Sequence, residues 1–265
     1  MNATRILVPL ALVAAIGAAV WYFRPQGPGP DLRVREAPVA GAKPAPAGPA
    51  TPEFPVTPPK PEKPLPPLNE SDAPLVEALG RLVSPQAVAR FFEIEDIIRR
   101  AVATVDNLPR DHYAQRLSPV KPIGGPFLAA GPEGKRVIAP DNAKRYTAFV
   151  GIVSAVDTAR AVDTYLYFYP LFQQAYVDLG YPAGYFNDRL VQVIDHLLET
   201  PEVKGPIALA VPHVLYEYAD DALEARSSGQ KVLIRMGPGN AARIQAKLRD
   251  FRRELLARAG TPPAR

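Results

Sequence analysis

From Leu68 onward, apolar side chains recur at steps of three or four, the spacing that lines one face of a helix. The pattern is strongest in Asp157–Thr200. Tyr165, Phe168, Phe172, Tyr176 and Leu179 mark one face there, and Asp157 stands where an N-cap belongs. Pro170 cannot donate to the carbonyl of Leu166, and its ring clashes there. The helix is expected to kink at Pro170, or to end so that a second helix starts with Pro170 in its first turn. Gly180-Tyr181-Pro182 predicts a stop built on a left-handed glycine. A following helix carries Leu190, Val193, Ile194, Leu197 and Leu198, and ends at Thr200–Pro201. Two such helices with a short loop predict an antiparallel hairpin.

This stretch is also aromatic. Nine of the chain's 22 Phe, Tyr and Trp residues fall between Tyr165 and Phe186. Rings of that size bury large areas, so the density marks a core. The alternative is a groove lined by tyrosines that offers flat faces and hydroxyls to a ligand. Tyr167 and Tyr169 lie off the main stripe and are the candidates for exposed, ligand-contacting rings.

The same period places other helices. Ser71 or Asp72 is expected to cap a helix with Pro74 in its first turn and Leu75, Leu79 and Leu82 inward. Ser84-Pro85 repeats the start signal. Ile94, Ile97, Ile98, Val102 and Val105 form a stripe ended by Asp106-Asn107-Leu108-Pro109. Asp141 is expected to cap a helix over 142–156 with Phe149, Ile152, Val153 and Val156 inward. Phe127–Ala129 and Arg136–Ile138 predict a small hairpin, and Ile207–Ala210 and Val214–Tyr218 short extended segments. Asp220 begins a helical turn, and Lys231–Met236 fits helix or strand. Gly237-Pro238-Gly239-Asn240 opens a last helix with Ile244, Leu248, Phe251 and Leu255 on one face. Its other face carries Arg243, Lys247, Arg249, Arg252 and Arg253.

The N-terminal quarter has a different pattern. Ile6–Phe23 is an uncharged, mostly apolar run of 18 residues between Arg5 and Arg24. As a helix it would span roughly 27 Å, about the thickness of the hydrocarbon layer. Trp21, Tyr22 and Phe23 stand at one end, as in an interfacial aromatic belt. A cleaved signal peptide is the competing reading, but its apolar core is usually shorter. Residues 1–24 are therefore expected to be an uncleaved anchor in the inner membrane, with the rest outside the cytoplasm. Pro25–Pro67 holds 15 prolines in 43 residues and few large apolar side chains. Such a stretch cannot repay the entropy of folding. It is expected to be a free spacer, reaching on the order of 130 Å if fully extended. The folded domain is assigned to residues 68–260 and a frayed tail to 261–265.

Charge and cysteine narrow the partners. The net charge is +4, but the part from Leu68 onward holds 24 basic against 23 acidic residues. That balance lacks the basic surplus of a general nucleic-acid binder. Without cysteine the chain has no disulfide, no thiol nucleophile and no zinc–thiolate site.

The residues that could carry chemistry are few. The three histidines are His112, His196 and His213. His196 and Glu199 are one helical turn apart, a spacing that can hold a metal, but no second such motif completes a site. Asp188, Gln192, Asp195, His196 and Glu199 more simply form a wet helix face. Glu217, Asp220, Asp221 and Glu224 are the densest acidic cluster; paired carboxylates cleave glycosidic bonds when their environments separate their pKa values. Acids at a helix start are also plain capping. In Arg235-Met236-Gly237-Pro238-Gly239-Asn240-Ala241-Ala242-Arg243, glycines before a helix free backbone N–H groups for an anion, with Arg235 and Arg243 beside it. The segment lacks the lysine of a nucleotide loop. A structural turn, with Arg235 tied to Asp221 or Glu224, is the alternative.

Several short motifs recur in order: Asp106-Asn107-Leu108-Pro109, Arg145-Tyr146, Pro170-Leu171 with Ala175-Tyr176, Leu179-Gly180-Tyr181-Pro182, Phe186-Asn187-Asp188-Arg189-Leu190, and Gln230-Lys231 through Arg235-Met236-Gly237-Pro238 with Asn240. On these the chain resembles, over about Leu68–Arg258, a bacterial family catalogued as domain of unknown function 3014. The resemblance implies a single-pass anchored protein with a proline-rich spacer, and brings no activity, cofactor or catalytic residue. The expected fold is mainly α with minor β: a compact helical domain with a small hairpin, after a membrane helix and a linker. The expected function is an envelope binding or scaffolding module for a protein or cell-wall component, with no cofactor, no metal and no nucleic acid. A wall-glycan hydrolase built on the acidic cluster is the alternative.

Overall fold

The computed structural model of the chain describes residues 51–60, 64–112, 114–211 and 215–258. The apolar run 6–23, residues 25–50, His213 and the tail lie outside them. Among the described residues no helix is long and apolar enough to cross a membrane.

The architecture is mainly helical. In chain order come α1 (Asp72–Leu82), α2 (Pro85–Phe91), α3 (Ile97–Asn107), α4 (Lys144–Ser154), α5 (Thr158–Asp178), α6 (Phe186–Leu198), α7 (Asp221–Glu224), α8 (Ser228–Arg235) and α9 (Pro238–Ala257). Four two-residue strands, β1 (Ala129–Ala130), β2 (Val137–Ile138), β3 (Leu209–Ala210) and β4 (Glu217–Tyr218), pair antiparallel as β1–β2 and β3–β4. The Ile138 N–H donates to Ile207 and the Leu209 N–H to Arg136, so the two ladders meet. They cover a small second core of Leu209, Tyr218 and Ile234.

The main core is organised around α5, which packs on α3 and α9. Tyr165, Phe168, Phe172 and Tyr176 are buried as their spacing predicts. Phe172 stacks on Phe186, with ring centres 5.7 Å apart and planes 16° from parallel. The helix runs through Pro170 without ending, with the proline ring on its exposed side. It then stops as expected. Gly180 takes φ 115°, its N–H donates to Val177, and the Tyr181 N–H reaches back to Tyr176.

Other expectations are corrected. Leu179 is 43% exposed, because it stands past the last helical turn. Ile94 is 50% exposed and lies outside α3; the left-handed Asp96 breaks the stripe before Ile97. Asp72 does not cap its own helix. Its carboxylate accepts the N–H groups of Asp96 (2.8 Å) and Ile97 (3.0 Å), and so caps α3. Asp141 pairs with Lys144 instead of capping α4, which follows a 3-10 turn over Pro140–Ala143. Tyr146 and Val150 are buried there, while Ile152 is only partly so. Ser84 and Asp157 do cap their helices, accepting from Ala87 and Arg160.

The free spacer is corrected at its C-terminal end. Phe54, Val56 and Leu65 pack against the main core. The few apolar side chains of this stretch are enough to hold its last part against the helices.

Candidate functional site

Three of the motifs meet at Asp106, a buried carboxylate at the end of α3. It accepts from Arg189 Nε (3.0 Å), from the Tyr181 hydroxyl (3.1 Å) and from Arg110. Arg189 also donates to the Asp106 carbonyl, at 2.8 Å. Tyr181 stacks on Tyr176, with ring centres 4.6 Å apart. A buried charge persists only when paired and hydrogen-bonded, and this one is held from the turn after α3, from α6 and from the loop between α5 and α6. The next residue but one joins α8: the Leu108 carbonyl accepts the Gly229 N–H at 2.9 Å. A Cβ on Gly229 would stand 2.6 Å from Leu197 and 3.1 Å from that carbonyl, so the close approach requires glycine.

The start of α6 forms a second polar centre. Asn187 is 1% exposed; its Oδ1 accepts the hydroxyl of the buried Tyr165 at 3.0 Å. Its Nδ2 donates to the Phe54 carbonyl at 2.7 Å. The two carboxylate oxygens of Asp188 accept the N–H groups of Glu53 (2.9 Å) and Phe54 (2.8 Å). This grip on the main chain of the proline-rich segment joins residues more than 130 positions apart. Composition alone reads this stretch as spacer.

Tyr169, expected as an exposed ring, is buried. Its hydroxyl donates to Gln173 Oε1 at 3.1 Å, and Gln173 in turn holds the Phe186 N–H and the Gly184 carbonyl. Burial pushes the Tyr169 hydroxyl up to about 12, so it stays neutral. Tyr167 is partly buried, edge-on to Phe168 at 5.0 Å. Tyr165, Tyr169 and Tyr176 are therefore core, and Tyr167 keeps part of its surface exposed at the core's margin.

The loop before α9 is divided. Gly237 (φ 79°) and Gly239 line a cleft of about 560 Å³ between Thr200–Ile207 and the start of α9, with Lys204 and Glu202 on its far wall. Neither Arg235 nor Arg243 lines it. The Arg235 guanidinium faces the fold, 5.4 Å from the ring centre of Tyr218, while Arg243 is exposed on α9. Asn240 is spent on the carbonyls of Ala143 (2.8 Å) and Met236 (3.0 Å). Of the two arginines expected beside the turn, Arg235 ends α8 and points inward, and Arg243 lies on the exposed side of α9.

In the acidic cluster, Asp220 and Glu224 are engaged in the fold. Asp220 accepts the N–H groups of Ala222 and Leu223 and caps α7. Glu224 accepts the Tyr218 N–H and pairs with Lys231. Burial works to raise the Glu224 carboxyl, but Lys231, the Tyr218 N–H and Arg235 outweigh it and hold it below its ordinary range. That is opposite to what a general acid needs. Asp221 is exposed.

His196 Nε2 lies 2.8 Å from Ser227 Oγ, a contact between residues 31 positions apart. A histidine on a serine hydroxyl is the geometry of an activated nucleophile. Here the hydroxyl is buried, accepts the Gln230 N–H and caps α8. Gln230 also donates to the His196 carbonyl. The pair ties α6 to α8. Burial lowers the His196 pKa; Glu199 opposes this and Arg189 and Arg226 add to it. His112 is exposed, and no group of three or more metal-binding side chains gathers among the described residues.

The sequence profile of the family described as Protein of unknown function (DUF3014) matches residues 97–252. No curated protein and no solved structure matches the chain. The matched span runs from the first residue of α3 into α9 and includes the Asp106 node and the Asn187–Asp188 grip. By that match over more than half its length, the chain belongs to the family of unknown function DUF3014.

Proposed function

We propose that the protein is a single-pass, membrane-anchored binding or scaffolding module of the cell envelope, with its helical domain outside the cytoplasmic membrane. The observation that carries this reading is the uncharged run Ile6–Phe23, followed by a proline-rich stretch and a separate helical domain. An anchor and a long connection suit capture at a distance from the membrane. The domain's polar centres favour binding over catalysis: Asp106, Glu224 and Ser227 are each engaged in bonds that hold helices or turns together. The cleft beside Gly237 and Gly239 is the concave surface proposed to meet a wall component or a partner protein. Fractionation tests the anchor. The full chain is expected to stay with membranes through high-salt and carbonate washes, and a chain lacking residues 6–23 to be released. Release of the full chain by either wash would remove the anchor from the account.

A further inference from the structure

Among the described residues, the side chains that bond the segment Thr51-Pro52-Glu53-Phe54-Pro55-Val56 read its main chain. Proline has no N–H, so Pro52–Pro55 offers only two amide donors, those of Glu53 and Phe54. Both go to Asp188, one to each oxygen. The carbonyl between Phe54 and Pro55 goes to Asn187. Pro55 forces Phe54 into an extended conformation, so the segment arrives already shaped for these bonds. Phe54 and Val56 pack their side chains against the core. Main-chain bonds for affinity and one ring for specificity are the elements of a peptide-recognition site.

The receiving side is built in advance. Asn187 is buried, and the Tyr165 hydroxyl fixes its Oδ1, which leaves the Nδ2 group aimed outward. Without a peptide carbonyl that donor would lack its partner. The occupant, by contrast, is loosely invested. Residues 51–60 belong to no helix or named strand, and none of them is buried. They also precede the span that matches the family. A segment held by few contacts opens locally at low cost.

We propose that Asn187 and Asp188 form a recognition site for an extended, proline-flanked aromatic peptide, occupied in this chain by its own Pro52–Val56 and open to exchange. Where the anchored-spacer reading above holds, release of this segment adds residues 51–64, up to the packed Leu65, to the free connection, on the order of 40 Å of reach. The site itself does not depend on that reading.

The test uses the full-length chain in detergent and a fluorescent peptide of residues 50–58. In one variant, Glu53→Pro with Phe54→Ala removes an amide donor and the ring and so empties the site. The peptide is expected to bind this variant saturably. It should bind the wild type at least ten-fold more weakly, because the tethered occupant competes at an effective concentration in the millimolar range. A peptide N-methylated at the Glu53 and Phe54 amides is expected not to bind, a control that leaves the protein untouched. Asp188→Ala in the emptied chain is expected to abolish binding as well. No binding by the emptied chain, equal binding by the wild type, or unchanged binding of the N-methylated peptide would each overturn the proposal, whether or not the chain is membrane-anchored.

Discussion

At the scale of single residues, polar side chains do the joining. Asp72 caps a helix that is not its own, Asp106 gathers two arginines and a tyrosine, and Lys247 Nζ donates to the Val156 carbonyl where α4 has ended. His196 belongs to the same class, and its lowered pKa makes it measurable. The folded value lies below the ordinary 6.5, so near that pH the unfolded chain binds more protons than the folded one. Stability from this residue is fully present above 6.5 and is lost as pH falls from there down through the lower folded value. Chemical denaturation between about pH 7.5 and 5.5 should therefore show stability falling with acid, and His196→Gln should flatten that slope. An unchanged slope in the variant would assign the dependence to other groups. None of these partnerships was legible from spacing. His196 and Ser227 are 31 positions apart, and a sequence offers no distance between them.

Elements were more legible, since their cause is local. Period and caps placed α2, α5, α6 and α9, and Gly180 ended α5 through the glycine conformation that the turn needs. Errors arose where a side chain had two uses. Ile94 fits the α3 stripe, but Asp96 in a left-handed conformation starts the helix later. Tyr169 lies off the stripe, yet Gln173 supplies its hydroxyl with a partner and lets it be buried. Pro170 permits a break that the exposed side of α5 does not require. The central face itself is core, and Phe172 tests it. Phe172→Ala removes a ring that stacks on Phe186 and sits near Tyr165, and should cost about 3–5 kcal/mol in denaturant unfolding. Wild-type stability in that variant would contradict the packing of α5 on α6.

For the whole molecule, composition reads one long spacer before the helical domain, yet Phe54, Val56 and Leu65 of that stretch pack against the core. A proline-rich stretch reads as spacer up to Leu68, because no composition shift marks Phe54 as different from its surroundings. The contact becomes visible only when Asn187 and Asp188 are brought beside it. The candidate site shows the same limit. Gly237 and Gly239 do border a cleft, but Arg235 faces Tyr218, a residue that no local pattern connects to it. The account's central claim is that this domain is held outside the cytoplasm by the run Ile6–Phe23. Fusions after Arg265 test it most directly, one to an alkaline phosphatase that is active only outside the cytoplasm and one to a fluorescent protein that matures only inside. The account predicts high phosphatase activity and a dark fluorescent fusion; a bright fluorescent fusion with no phosphatase activity would contradict it.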